Sequence, residues 1–424
     1  MDFREANAFL DSFEFRMEGF DLEAIKELAR ISGLETWKLK VIHVAGTNGK
    51  GSTTAFISSI LKEAGYRVGS YYSPHIFTIR ERIRVNNKFI SEEDFAKAVE
   101  YFAPFLEMVK KKPTYFELLT AVAIKYFLDE KVEFAVLETG MGGRLDATNI
   151  FESEVSVITS LGLEHTQYLG HTIGEIASEK AGIIKENSFV VFSKENKGRK
   201  VIEKAAKGKN AKIVVPEYEE KRVSAKGNLF DLTVPEKILG LETALLGEKQ
   251  MENAALAVAA ALCLRGKGYV IKENAIRKGL KKASIEGRLQ VKQYFPQAFP
   301  QKRLQVMGKR PLVMADVAHN PAAMEALMES VKIFDFEKLV VVFSCLMDKD
   351  IKEIVGKIKA DLLVVCGLKN ARAAKISDLA KYCPKNSVVI YEAKSAIEEA
   401  LSFSSEKDLV LVCGSHYLMQ EIFG

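Results

Sequence analysis

The apolar run Val41-Ile42-His43-Val44-Ala45 leads into Gly46-Thr47-Asn48-Gly49-Lys50-Gly51-Ser52-Thr53, and that into Ala55-Phe56-Ile57-Ser58-Ser59-Ile60-Leu61. The first run predicts a buried strand and the last a helix ending near Gly65, so the chain must provide a βα unit of a parallel sheet. A glycine-rich turn between strand and helix lets backbone N–H groups point inward at an anion. The helix N-terminus adds its positive dipole end, and Lys50 adds a full charge. Gly46, Thr47, Asn48, Gly49, Lys50, Gly51, Ser52 and Thr53 are therefore expected to bind the phosphates of a nucleotide. The spacing departs from the usual phosphate loop, which has four residues between its glycines and a Ser or Thr directly after the lysine. Here two residues intervene, and Gly51 separates Lys50 from Ser52.

A chain of 424 residues exceeds what one hydrophobic core supports, so two or three domains are expected. The net charge of +5 is small for this length and suits anionic small molecules as well as simple solubility. No basic run is interleaved with aromatics, which argues against a nucleic-acid partner. Cys263, Cys345, Cys366, Cys383 and Cys413 lie far apart without a C-x-x-C, so reduced core thiols are expected and a zinc site is not. No apolar run approaches the ~20 residues of a membrane span. The N-terminus lacks the basic-then-apolar layout of a secretory leader, and the expectation is a cytoplasmic protein, a monomer.

Strand and helix patterns alternate over most of the length, which predicts an α/β fold with a parallel sheet. After the loop strand, strands are expected at Arg67–Tyr72, Phe134–Glu138, Val155–Thr159, Ser188–Ser193 and Lys212–Val215. Helices are expected at Ser91–Lys110, Phe116–Asp129, Ile173–Lys185 and Gly198–Lys207, and a hairpin over Arg82–Ile90 around Asn86-Asn87. Met251–Lys282 reads as helical. A second βα series starts at Pro311–Ala315 and continues through Lys338–Phe343, Asp361–Cys366, Ser387–Tyr391 and Asp408–Cys413. The expected organisation is a phosphate-loop nucleotide-binding domain over 1–287, a junction at 288–310, and a smaller Rossmann-like domain over 311–424. The junction holds a direct repeat: Arg288-Leu289-Gln290-Val291 recurs as Arg303-Leu304-Gln305-Val306. It reads as an insertion in a surface loop.

GTNGK resembles the loop of the Mur ligase superfamily, which joins an amino acid to a carboxylate with ATP. GTNGKGST, preceded by only 45 residues, is similar to the folate branch, the folylpolyglutamate and dihydrofolate synthases. The Mur ligases proper carry a further domain ahead of the loop, and 45 residues leave no room for one. The motif Glu138-Thr139-Gly140-Met141-Gly142-Gly143-Arg144-Leu145-Asp146-Ala147-Thr148-Asn149 closely resembles the same family, as do Leu161-Gly162-Leu163-Glu164-His165 and Asp316-Val317-Ala318-His319-Asn320-Pro321.

By local sequence Glu138 is equally a solvated strand end or a ligand placed at a strand tip. The resemblance makes Glu138, His165 and Ser73 holders of Mg²⁺, two ions in all, although imidazole is an unusual ligand for magnesium. It also implies that Lys180 is carbamylated, which requires a neutral amine and a depressed pKa. Asn253 resembles an asparagine that contacts adenine, Asp316 a residue that reaches the nucleotide, and His319 one that lies near the incoming glutamate. Arg288 resembles an arginine that reaches the phosphates, with Arg303 as its rival. Arg82, by ion pairing, and Ser415, at a helix start, are candidates for the carboxylates of glutamate. Thr114, Tyr115, Phe116 and Glu117 resemble the segment facing the pteridine, although an aromatic pair at this spacing is more commonly core.

Making an amide from a carboxylate in water needs an activated acyl group, and ATP supplies one by phosphorylating the acid. The resemblance therefore implies an ATP-dependent ligase that adds L-glutamate to a folate or to dihydropteroate, with Mg²⁺ and a closing cleft between its domains. A Mur-type ligase acting on another acid, or a nucleotide-binding regulator without catalysis, remain the alternatives.

Overall fold

The computed structural model describes residues 1–14, 21–291 and 311–424. These divide into two units. The first comprises Met1–Arg222, Leu229–Ala244 and Lys249–Ser284, and the second Val223–Asn228, Leu245–Glu248 and Ile285–Gly424.

The first unit is built on an eight-stranded sheet of order β4-β3-β2-β5-β1-β6-β7-β8. Its strands are β1 Lys40–Ala45, β2 Val68–Tyr71, β3 Ile83–Val85, β4 Lys88–Phe89, β5 Phe134–Glu138, β6 Ser153–Ile158, β7 Phe189–Phe192 and β8 Lys212–Val214. Strands β2, β5, β1, β6, β7 and β8 run parallel, and β3 and β4 add an antiparallel edge. The edge is a hairpin whose turn residues, Asn86 and Asn87, both take positive φ (49° and 62°), as a two-residue primed turn requires.

Central strands are buried on both faces, so β5 and β7 are apolar along nearly their whole length, whereas β1 and β6 carry His43 and Ser156 inside. Val41 and Leu137 join a core with Leu10, Leu28, Phe95 and Phe127 of the helices on one side. The helix Lys50–Glu63 packs against β1, β2 and β5 and against the helices Lys249–Gly266 and Glu273–Lys282. Every residue from Gly51 to Leu61 is buried, five hydroxyl side chains among them. A three-stranded antiparallel sheet, β11-β10-β9, completes the unit with β9 Glu217–Arg222, β10 Asn228–Val234 and β11 Ile238–Thr243.

The second unit holds the sheet β12-β13-β17-β14-β15-β16, with β12 Gln290–Val291, β13 Leu312–Ala315, β14 Leu339–Phe343, β15 Leu362–Cys366, β16 Val388–Ile390 and β17 Leu409–Cys413. Five of its strands are parallel and β12 is an antiparallel edge. Its core runs through Met314, Leu327, Val341, Phe343, Val365 and Leu411.

Several expected elements are corrected. The helix expected over Ser91–Lys110 stops at Glu100, a short turn follows at Ala103–Leu106, and Lys110–Lys112 lie beyond both. The segment Met251–Lys282 is two helices, broken where Gly268 takes φ +98°. The helix expected to reach Lys185 ends at Ala181. The small antiparallel sheet has no counterpart in the sequence reading, because β9 is polar and exposed along nearly its whole length and gives no apolar run. The repeat at 288–291 is not wholly a loop, since Gln290 and Val291 pair with Ala315 and Met314. Its second copy, Arg303 included, lies outside the described residues.

Candidate active site

Strand β1 ends at the sheet centre, between β5 and β6, and delivers Gly46 at its tip. The Thr47 amide donates to the Ser160 carbonyl at 2.8 Å, and the Thr47 hydroxyl bridges both backbone groups of Gly162 at 3.1 Å. The loop is thus tied to the segment after β6. A Cβ on Gly46 would stand 1.7 Å from Thr159 Oγ1. One on Gly49, at φ +89°, would stand 2.3 Å from Asn253 Oδ1. A side chain at Gly46 would collide with Thr159, and one at Gly49 would displace the Asn253 amide and strain a left-handed backbone. Gly49 caps the helix Lys50–Glu63, whose first intrahelical bond is Thr53 N–H to the Gly49 carbonyl at 2.9 Å.

Two lysines converge on this loop. Lys50 Nζ donates to the carbonyls of Gly46 and Thr47, both at 3.1 Å, and Lys180 Nζ donates to the Gly46 carbonyl at 2.7 Å. Lys180 is buried, and burial together with the charge of Lys50 lowers its pKa to about 7. Around the helix start the hydroxyls of Ser52, Thr53 and Thr54 are buried without a hydrogen-bond partner. Buried hydroxyls left unpaired are costly, and a polyanion with its counter-cation is the group that would satisfy them beside two ammonium groups.

Glu138 closes β5 in register with Val44, and its carboxylate accepts from the Ser73 amide at 3.2 Å. Two of the three expected magnesium ligands are thereby brought together. His165 lies after β6 at φ +51° and starts the short helix Thr166–Leu169. Among the described residues no three His, Cys, Asp or Glu side chains converge as a metal-binding group. Mg²⁺ keeps several waters and takes one or two carboxylates, so Glu138 with the Ser73 hydroxyl suits it by donor chemistry, and the His165 imidazole is the member of the expected set that does so least.

Beyond Glu138 the loop folds back on Asp146, which accepts from the Met141 amide at 2.9 Å and the Thr148 amide at 3.1 Å. Its burial raises its pKa against these bonds. Phe116 packs against this loop: a Cβ on Gly140 would meet Phe116 Cζ at 2.6 Å. Thr114 and Glu117 engage each other as a capping box at the start of the helix Tyr115–Asp129, and Tyr115 is core. These polar groups hold the helix start, and Phe116 is the member of the quartet seen against the Gly140 loop.

Arg82 is buried, and its Nε donates to His75 Nδ1 at 2.8 Å. Burial and the Arg82 charge hold the His75 pKa near 3, so the imidazole accepts as a neutral ring. Glu81, passed over in the sequence, is the anchor here. Its carboxylate takes the amides of Ile76, Phe77 and Thr78, each at 2.8 Å, and shapes the loop after Ser73. The signal was present, since Thr78-x-x-Glu81 is the capping-box pattern.

In the second unit Asp316 follows β13 and is buried, accepting from the Leu289 amide at 2.9 Å and the Ala318 amide at 2.8 Å. Burial raises its pKa, and Arg288 beside it works in the opposite direction. His319 Nδ1 lies 2.8 Å from the Val317 carbonyl, and its ring lies 5.6 Å from that of His416, a residue the sequence did not single out. Asn320 caps the helix Pro321–Val331, and Ser415 caps His416–Phe423 through the Tyr417 amide at 3.1 Å. Ser415 is buried as a cap, which places it at a helix start as expected.

Residues 44–261 match the Mur ligase middle domain, and residues 302–416 match the Mur ligase glutamate ligase domain. The dihydrofolate synthase/folylpolyglutamate synthase of Bacillus subtilis is 36% identical over 418 residues, covering 95% of this chain and 94% of that one. The chain belongs to the folylpolyglutamate synthase/dihydrofolate synthase family. Among solved members of the family, Escherichia coli FolC in complex with DHPP and ADP superposes with a TM-score of 0.87 at 29% identity, over 100% of this chain and 97% of that one. A bifunctional member with Mn, AMPPNP and L-glutamate bound gives 0.83 at 28% identity, over 100% and 97%. Family membership accounts for the two-part α/β architecture. Among the described residues no helix is long and apolar enough to cross a membrane.

Proposed function

We propose that this chain joins L-glutamate in amide linkage to the carboxylate of a reduced folate, and to that of dihydropteroate, through an acyl phosphate, in the cytoplasm. As a member of its family it is an ATP-dependent glutamate ligase. The observation that carries the reading is the convergence of Lys50 and Lys180 on the Gly46 carbonyl beside buried, unpaired hydroxyls.

In the first step a carboxylate oxygen of the acid attacks the γ-phosphorus of ATP and ADP leaves. In the second the glutamate amine attacks the acyl carbon, phosphate leaves with that oxygen, and the amine gives up a proton. The residues Gly46–Thr53 bind the phosphates through backbone N–H groups, with Lys50 supplying charge. Glu138, Ser73 and His165 would hold Mg²⁺, which neutralises phosphate charge when bound. Lys180, with its pKa lowered to about 7, has the neutral amine that reaction with CO₂ requires, and as a carbamate it would become an anionic oxygen donor. Asn253 borders the loop at Gly49 and is assigned to the nucleotide base. Phe116 and the Gly140 loop are assigned to the pteridine. In the second unit Asp316 and Arg288 are assigned to the nucleotide, and His319 and Ser415 to glutamate.

The test is ATP- and glutamate-dependent phosphate release with dihydropteroate and tetrahydrofolate in parallel, with the products read by mass spectrometry. Release with both acids, each gaining one glutamate, supports the bifunctional reading. Release with tetrahydrofolate alone restricts the enzyme to chain extension. Tight ATP binding without release with either acid would overturn the folate assignment and favour a regulator.

A further inference from the structure

His43 lies in the middle of β1, fully buried, opposite Leu137 of β5 and Ser156 of β6. Nothing in the phosphate loop uses it. Its Nε2 is 2.7 Å from Thr148 Oγ1, and its Nδ1 is buried without a hydrogen-bond partner. The Thr148 hydroxyl has one proton, and Asp146 Oδ1 takes it at 2.5 Å. As a carboxylate Asp146 only accepts: Oδ1 also takes the Thr148 amide and Oδ2 the Met141 amide, bonds that favour the charged form against its burial. With its proton committed, Thr148 Oγ1 can only accept from the imidazole. His43 therefore carries its proton on Nε2 and none on Nδ1. Burial keeps the ring neutral, with a pKa lowered to about 3.

The far end of this chain is the loop that follows Glu138. The Asp146 amide donates to the Gly143 carbonyl at 3.1 Å, closing the loop on itself. At its start the Thr139 amide donates to the carbonyl of Val44, the residue after His43, at 3.0 Å. At its end the Arg144 amide donates to the Glu179 carbonyl at 2.8 Å, and the guanidinium pairs with the Glu179 carboxylate. Lys180 is the next residue. The loop is thus fastened to the β1 tip, to His43 through Thr148, and to the helix that carries Lys180.

We propose that His43 is a positioning residue for the ligation: a neutral donor that acts through Thr148 Oγ1 and the Asp146 carboxylate to hold the Thr139–Arg144 loop, and with it Glu138 and Lys180, in place at the phosphate loop. The proposal rests on the reading of Glu138 as the carboxylate that holds the metal ion. It gives a buried imidazole with one bare nitrogen a reason to stand where an aliphatic residue would pack at lower cost.

The test compares His43→Leu and Thr148→Val, which break the chain, with His43→Gln, whose amide N–H₂ restores a donor near the position of Nε2. Binding of Mn²⁺ in the presence of AMPPNP, followed by the paramagnetic resonance of free Mn²⁺, needs neither folate nor turnover. His43→Leu and Thr148→Val are expected to bind Mn²⁺ about tenfold more weakly, as loss of outer support to a metal site does, with the KM for glutamate unchanged. His43→Gln recovers most of that loss. Thr148→Val decides the matter if His43→Leu fails to fold, because the threonine-to-valine change removes little beyond the hydroxyl. Unweakened Mn²⁺ binding in folded Thr148→Val, or equal loss in His43→Gln and His43→Leu, overturns the proposal. A wild type that binds Mn·AMPPNP but releases no phosphate with any folate would instead overturn the substrate reading and leave the binding comparison intact.

Discussion

Lys180 Nζ donates to the Gly46 carbonyl at 2.7 Å, across 134 residues of sequence, and shares that oxygen with Lys50. Two ammonium groups on one carbonyl repel each other, and that repulsion adds to burial in lowering the pKa of Lys180 to about 7. The unfolded chain keeps this proton up to about 10.5, whereas the folded chain releases it near 7. Between these values the unfolded state binds more protons, so stability rises with pH, and below about 7 the full penalty of the buried charge is present. Lys180→Met removes that penalty. Urea unfolding of the two proteins at pH 6.5 and 9.5 should show the variant gaining most at the lower pH, with the gap narrowing at the higher. A gap independent of pH would refute a depressed Lys180.

Gly46→Ala should abolish tight ATP binding, because the new Cβ would fall 1.7 Å from Thr159 Oγ1. Gly65→Ala is the control. Its φ of +97° is also left-handed, yet nothing lies within 4 Å of the added carbon. The control should lose about 1–2 kcal/mol of stability and keep its nucleotide affinity. Calorimetric ATP titration separates the two, and equal affinities in both variants would contradict the close approach at Gly46.

Glu81→Ala leaves the amides of Ile76, Phe77 and Thr78 without their acceptor. Hydrogen bonds to a charged group contribute about 1.5–3 kcal/mol each, so a loss of at least ~3 kcal/mol is expected even if water recovers part of it. The KM for the acid substrate should rise more than that for ATP, because the loosened loop follows Ser73 rather than the phosphate loop. Equilibrium unfolding and steady-state kinetics on one preparation test both halves.

Asp316→Ala removes the shared acceptor of the Leu289 and Ala318 amides. Leaving buried donors unpaired costs roughly 1–3 kcal/mol. Glutamate-dependent phosphate release should fall by far more than this loss of stability explains at a temperature where the variant stays folded. Asp316→Asn keeps one acceptor oxygen and should recover stability better than turnover. Parallel recovery of the two would reduce Asp316 to a structural role.

Local pattern carried much of the fold. The apolar runs at β5 and β14 are near-continuous because each is covered on both faces, and Asn86-Asn87 declares its turn because two adjacent positions need positive φ. The polar strand β9 was silent for the opposite reason, being exposed along nearly all its length. At the site, the sequence exposed residues next to strand tips, namely Gly46, Glu138 and Asp316. It did not expose Glu81 or His43, whose partners are amides and a hydroxyl rather than members of a motif.

The sequence by itself determined a glycine-bounded loop between a strand and a helix, and two parallel βα series, because strand length, helix period and turn chemistry are short-range properties. Tertiary structure alone decided that Lys180 reaches Gly46, that Asn253 covers Gly49, and that His43 meets Thr148. Each of these contacts depends on β1 being inserted between β5 and β6, strands that follow it by about a hundred residues. That order is set by how whole elements bury their faces against one another, and no local stretch of the chain encodes it.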